Sequence, residues 1–246
     1  MIKLKNLTVS YRQHPALHHV SGHFAVGSLS AVIGPNGSGK STLLKSIMGL
    51  IPKSGGDITL STAREHIAYL PQIAEVDRQY PISVEDCVSQ GFWHKNGGLA
   101  GLQASHRLAM QRAIQSVELE GFESRPIGSL SSGQFQRVMF ARMLVQDAQL
   151  ILLDEPFNAV DSKTCATLMQ LIEIWHQEKR TVIAVLHDDL QVRNHFPDTL
   201  LLARETVAWG KTVDVLTPDN LYKARSMAEA WDDDADLCRI DMAIAA

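Results

Sequence analysis

Apolar and polar residues change period several times along the chain, and each change marks an element. Ile2, Leu4 and Leu7 through Val9 read as strand material. The run Leu29-Ser30-Ala31-Val32-Ile33 is apolar and β-branched, and it ends abruptly at Gly34. Beyond a glycine-rich stretch, Leu43, Leu44, Ile47 and Met48 recur at helical spacing until Gly49 and Pro52 stop the helix. Short strands are predicted at Asp57-Ile58-Thr59-Leu60 and Ile67-Ala68-Tyr69-Leu70, the second closed by Pro71. Residues 84–119 turn helical through Leu108, Ala113, Ile114 and Val117, interrupted at Gly97-Gly98-Leu99-Ala100-Gly101. This predicts a mostly helical subdomain inserted between two strands of the main sheet.

The α/β pattern then returns. A helix is predicted at about 133–145, a strand at Leu150-Ile151-Leu152-Leu153, a helix through Leu168, Leu171, Ile172 and Trp175, and a strand at Thr181-Val182-Ile183-Ala184-Val185-Leu186. Both strands are unbroken apolar runs, as buried parallel strands are. Two further strands, Thr199-Leu200-Leu201-Leu202 and Thr206-Val207-Ala208-Trp209, flank a turn at Ala203-Arg204-Glu205. No internal repeat is present.

Composition narrows the function classes. The 246 residues, 45% apolar, suit one large α/β domain. With 23 basic and 27 acidic residues there is no general electrostatic reason to bind nucleic acid. No apolar run approaches the roughly 20 residues needed to cross a bilayer, and Met1-Ile2-Lys3-Leu4-Lys5-Asn6 lacks the order of a secretory signal, so a cytosolic protein is expected. Cys87, Cys165 and Cys238 are far apart and in no CxxC arrangement, which argues against a disulfide framework or a zinc ribbon.

The chemistry begins between the Leu29 strand and the following helix. Gly34-Pro35-Asn36-Gly37-Ser38-Gly39-Lys40-Ser41 fits G-x-x-x-x-G-K-[ST], a loop whose backbone amides and following helix N-terminus cradle phosphates. These eight residues and the adjacent Thr42 are the candidate ATP-binding residues. Lys40 should reach the β- and γ-phosphates and Ser41 the Mg²⁺. The strand through Leu153 delivers Asp154 and Glu155 at its C-terminal end, where α/β sheets bind ligands. Neighbouring strand residues point to opposite faces, so the two carboxylates are given different roles. Asp154 is assigned to the Mg²⁺ shell and Glu155 to the general base.

Leu130-Ser131-Ser132-Gly133-Gln134, sixteen residues before the Leu150 strand, and the following Phe135-Gln136-Arg137-Val138-Met139-Phe140-Ala141-Arg142 resemble the signature motif of the ATP-binding-cassette family. Ser132 stands where that family usually has glycine, for which a modest effect is expected. Tyr11 matches the aromatic residue that stacks on adenine, and Gln72 the glutamine that senses Mg²⁺, water and the transporter. Asn158-Ala159-Val160-Asp161 matches the loop that crosses a dimer interface, and His187 the histidine that contacts the γ-phosphate. The resemblance spans about residues 1–215.

It implies a P-loop ATPase fold with a mostly parallel RecA-like core sheet, an N-terminal antiparallel β part and a helical subdomain at about 84–145. These would form a single domain over 1–225, followed by a tail at 226–246. It also implies that Ser131, Ser132, Gly133 and Gln134 face an ATP held by a second copy of the chain, in a head-to-tail dimer that hydrolysis separates. The helix they open presents Phe135, Val138, Met139 and Leu144 as its apolar face.

Separate cassettes of this family serve mainly importers, and residues 75–86 with Val88 and Gly91 look like the branch that imports zinc, manganese or iron. The expected partners are a membrane permease that holds the chain at the cytoplasmic face of the membrane and, indirectly, an external substrate-binding protein. Tyr80, Phe92 and Trp93 could line the groove that receives the permease, or pack as helical-lobe core. His14, His18, His19 and His23 are read as strand or surface residues, and Asp232-Asp233-Asp234 with Asp236 and Cys238 as a solvated tail. The nearest alternative is the haem, cobalamin or siderophore branch. A translation- or nucleic-acid-associated cassette fits poorly, because it calls for two cassettes or a coiled-coil insertion that this sequence lacks.

Overall fold

Strands that are apolar on both faces need cover on both faces. That requirement organises the molecule, of which the computed structural model describes residues 2–12, 14–72, 75–93 and 102–230. Strands β1 (Ile2–Tyr11), β2 (His14–Phe24) and β4 (Gly55–Leu60) form an antiparallel sheet in the order β2-β1-β4. The main sheet runs, in spatial order, β5 (Ile67–Leu70), β6 (Leu150–Asp154), β7 (Thr181–Val185), β3 (Leu29–Ile33), β8 (Asp198–Ala203) and β9 (Glu205–Lys211). All are parallel except β9, which returns antiparallel along β8.

Alternate residues of the central strands part into two cores. Val32, Leu150, Leu152, Ile183 and Val185 face a core closed by the antiparallel sheet and by Leu43, Leu44 and Ile47 of helix α1 (Lys40–Met48). Ala31, Ile33, Ile151, Leu153, Val182 and Ala184 face the helices on the other side. There α2 (Val84–Ser89) and α3 (Ala104–Ser116), which fall between β5 and β6 in sequence, pack on α4 (Ser132–Gln146). Helices α5 (Ser162–Gln177), α6 (Asp189–His195), α7 (Thr212–Val215) and α8 (Pro218–Glu229) follow. The α/β class, the mostly parallel sheet and the antiparallel part are as the sequence predicts.

Several details refine the pattern reading. The second strand extends back to His14, through the histidine-rich segment. Helix α4 is not one-sided: Phe135, Gln136, Val138, Met139, Phe140, Ala141, Met143 and Val145 are all buried, because the helix lies between the helical lobe and the sheet. Phe92 is core, stacked on His106, whereas Tyr80 and Trp93 are exposed. The 226–246 stretch expected as a tail begins within helix α8, which runs through Glu229. The glycine run at 97–101 and the acidic stretch at 232–238 lie outside the described residues.

Candidate functional site

The strand ends are level. Val32 of β3 pairs with Val185 of β7, which pairs in turn with Asp154 of β6, so the residues after each strand emerge side by side. Gly34 leaves β3 with φ of 156°, and a β-carbon there would lie 1.9 Å from the carbonyl oxygen of Leu202. Gly39, with φ of 91°, caps α1, and a β-carbon on it would meet the Ala16 carbonyl at 2.3 Å. Glycine is required at both positions by close backbone approach. Between them the loop brings together a buried Ser38 hydroxyl that has no hydrogen-bond partner and the buried Lys40. The Lys40 ammonium donates to the carbonyls of Gly34 and Pro35, both at 2.9 Å, and so spans the loop that precedes it. Burial holds its pKa below the ordinary lysine range, against the opposing pull of Glu155 and Asp154.

Asp154 is fully buried on the α1 side of the sheet, the side that the parity of Leu150 and Leu152 sets. Its Oδ1 accepts from Ser41 Oγ at 2.9 Å and its Oδ2 from Tyr69 Oη at 3.5 Å. Gln72 Nε2 donates to Ser41 Oγ at 3.3 Å, which brings three predicted residues into one chain of contacts. Burial pushes the Asp154 carboxyl up to about 6, with Ser41 opposing and Glu155 assisting. A buried carboxylate bonded to a hydroxyl forms an oxygen donor set suited to a hard divalent ion such as Mg²⁺.

Glu155 is not on the strand. β6 ends at Asp154, and Glu155 adopts φ of 53°, in the left-handed region. The opposite orientation of the two carboxylates therefore comes from a turn rather than from the pleat alone. The turn is held by the Glu155 amide donating to Val185 O at 3.2 Å and the Asn158 amide donating to Glu155 O at 3.2 Å. It delivers Glu155 Oε1 to within 2.7 Å of His187 Nε2, while Asn158 Nδ2 donates to Oε2 at 3.2 Å. Glu155, Asn158 and His187 line a cleft of about 820 Å³ together with Asn36 and Gln191.

Tyr11, Asp161 and residues 131–134 are not among the residues that line this cleft. Tyr11 is half exposed, its hydroxyl 3.5 Å from Thr42 Oγ1, which leaves its ring available as a platform beside the loop. Ser131 caps α4: its hydroxyl accepts from the Gln134 amide at 3.2 Å, and Gln134 Oε1 accepts from the Ser131 amide at 3.0 Å. The amides of Ser132 and Gly133 are the next donors at this helix end. Ser132 lies in the right-handed helical region, so its backbone places no demand for glycine. No hydrogen bond joins residues 131–134 to residues 34–42 among the described residues. Asp161 caps α5, accepting from the Thr164 amide at 2.9 Å and the Thr164 hydroxyl at 2.8 Å.

The histidines of β2 are engaged locally. His18 Nδ1 pairs with Glu205 at 2.7 Å and His19 Nδ1 with Asn6 at 2.7 Å. Sequence reasoning singled out neither Tyr69 nor Gln136, whose amide donates to Pro156 O at 2.7 Å. A glutamine inside an otherwise apolar helical run was the available signal for the second.

A buried parallel strand, a glycine loop, a helix and an acidic residue ending the next strand but one define a phosphate-loop nucleoside triphosphatase. The family model described as ABC transporter matches residues 17–158, and the chain belongs to that family. It is 38% identical over 228 residues to the manganese transport system ATP-binding protein MntB of Listeria monocytogenes, covering 91% of this chain and 95% of that protein. It is 37% identical, over 91% of this chain and 86% of the relative, to the zinc transport system ATP-binding protein TroB of Treponema pallidum. Among solved structures, it superposes on the dimeric bacterial ABC transporter cassette MJ0796 with a TM-score of 0.76 and 28% identity, over 86% of this chain and 99% of that one. The protein is thus an ATP-binding cassette ATPase, an enzyme that couples ATP hydrolysis to transport.

Proposed function

We propose that this chain is the ATP-hydrolysing subunit of an importer that carries a divalent metal ion through a separate membrane permease. What supports the chemistry most is that the phosphate loop, with its unpartnered buried hydroxyl, leads into the Ser41–Asp154 pair while the next residue, Glu155, pairs with His187 at the cleft. In this reading the adenine stacks on Tyr11. Its phosphates lie on residues 34–42, with Lys40 leaving its loop carbonyls for the β- and γ-phosphates. Ser41, Asp154 and Gln72 hold Mg²⁺, which neutralises phosphate charge when bound. Glu155 takes a proton from the attacking water, oriented by His187, which also faces the γ-phosphate.

The site is completed by a second copy, whose Ser131, Ser132, Gly133 and Gln134 present helix-end amides to that phosphate and whose Asp161 lies on the loop crossing between the copies. The dimeric cassette among the structural relatives supports this arrangement. No helix among the described residues is long and apolar enough to cross a membrane, in keeping with a peripheral subunit held at the cytoplasmic face by its permease. A groove of about 530 Å³ between Lys45, Arg64, Glu75 and Arg142 adjoins Gln72 and is the docking place we assign to that permease. Metal cargo rests on the manganese and zinc names of the relatives and on residues 75–86. The cargo itself would be selected by the permease and the external binding protein.

The test is metal accumulation in cells that express the permease operon with this chain or with Glu155→Gln. Manganese or zinc uptake should fall to the level of cells lacking the chain, and unchanged uptake of both metals in the variant would overturn the proposal.

A further inference from the structure

We infer that Gln136 is a positioning residue for Glu155, tying the helix that faces the partner's nucleotide to the turn that aims Glu155 in the chain's own site. The inference rests on the dimeric reading above and names a connection inside it. Gln136 lies in the second turn of α4's buried N-terminal half, flanked by Phe135, Val138, Met139 and Phe140, and is 1% exposed. Space there could be filled by leucine or methionine. Instead an amide is buried, with Nε2 donating to the Pro156 carbonyl at 2.7 Å and Oε1 left without a partner. An interior amide that satisfies only one of its ends is a costly way to pack a helix, so its donor end is where a role is to be sought.

The carbonyl it holds belongs to the residue after Glu155. Glu155 occupies the left-handed region, which a residue with a β-carbon keeps only when its surroundings over-determine it. Pro156 has no N–H and cannot anchor the turn through its own amide. The Glu155 and Asn158 amides hold it from β7 and from within the turn, and Gln136 adds a hold from a separate element. The far end of the same segment lies beside the tip of α4. A β-carbon on Gly133, at the tip of α4, would lie 3.6 Å from both Asp161 Oδ2 and Thr164 Oγ1. Residues 155–161 are thus bonded to α4 at Pro156 and lie next to its tip at Asp161. When the α4 tip seats on the partner's γ-phosphate, Gln136 carries that placement to Pro156 and so to Glu155. Occupancy of one nucleotide site thereby sets the geometry of the carboxylate in the other.

The test uses the full chain. Gln136→Met keeps the volume and removes the donor. Turnover should fall about tenfold to a hundredfold while KM for ATP stays within about twofold, since the loss is of orientation rather than of binding. Glu155→Gln and Glu155→Gln/Gln136→Met should form the ATP-dependent dimer equally well. Wild-type turnover in Gln136→Met, or loss of the dimer only in the double variant, would overturn the inference; the second result would make Gln136 a plain structural member of α4. Absence of the dimer in Glu155→Gln alone would remove the dimeric reading itself, and the inference with it.

Gln136→Glu gives an independent readout should the methionine variant fail to fold. Only its protonated carboxyl can donate to Pro156, and burial raises the pH at which it is protonated. Its turnover relative to wild type should rise severalfold as the pH is lowered from about 8.5 to about 6, the ratio cancelling any pH dependence common to both proteins. A flat ratio would contradict the role.

Discussion

The buried Asp154 carboxylate accepts hydrogen bonds from the hydroxyls of Ser41 and Tyr69. Its carboxyl is raised from the ordinary 3.8 to about 6 by burial. A folded-state pKa above the unfolded one adds stability below about pH 4, which is lost as the pH rises through about 6. At pH 7.5, in the presence of a chelator, Asp154→Asn should therefore stabilise the chain by about 3 kcal/mol, with Asn Oδ1 still accepting from Ser41. A lower denaturation midpoint for the variant would show that the carboxylate is paired by something else. The same substitution should abolish hydrolysis, separating stability from activity at one atom. Lys40 is the converse case, a cation stored against its own loop. Lys40→Ala should weaken ATP binding about tenfold to a hundredfold by calorimetry, the value of charge-assisted hydrogen bonds, and wild-type affinity would contradict its phosphate role. At this scale the motif residues were legible because phosphate chemistry restricts which side chains serve. The left-handed turn at Glu155 was not, since a non-glycine residue with positive φ leaves no mark in the pattern.

Elements built from short-range period were read well, and those whose period is broken were not. Strands β3, β6 and β7 are covered on both faces, so their apolar runs declare them. β2 carries Pro15 and several histidines, and its ladder with β1 slips register at three places, so buried residues do not fall at every second position. The short helices α6 and α7 follow strand ends and offer too few turns to show a face. For α4 the pattern named one apolar face where the fold buries nearly all of it, because the helical lobe lies on one side and the sheet on the other. The junction between β3 and β8 gives a test of how tightly these elements hold the loop. Gly34→Ala would drive a methyl into the Leu202 carbonyl. It should cost about 1–3 kcal/mol in chemical denaturation and remove nucleotide binding, whereas unchanged stability and binding would mean that the loop is free to move away from β8.

Over the whole molecule the consequence is incompleteness. Glu155 and His187 line one cleft with Asn36 of the phosphate loop, while residues 131–134 share no hydrogen bond with that loop among the described residues. In the proposed reading, a dimer of this chain seated on a permease is the unit that works. Family membership was legible from the ordered motifs because each is a short local sequence. The pairing of two copies was legible only through that resemblance, since no periodicity encodes it. The most direct measurement is specific ATPase activity of the purified chain as its concentration is lowered from micromolar to nanomolar at saturating MgATP. Activity per chain should fall with dilution, because hydrolysis needs α4 of a second copy; constant activity per chain down to nanomolar concentration would contradict a site shared between two copies.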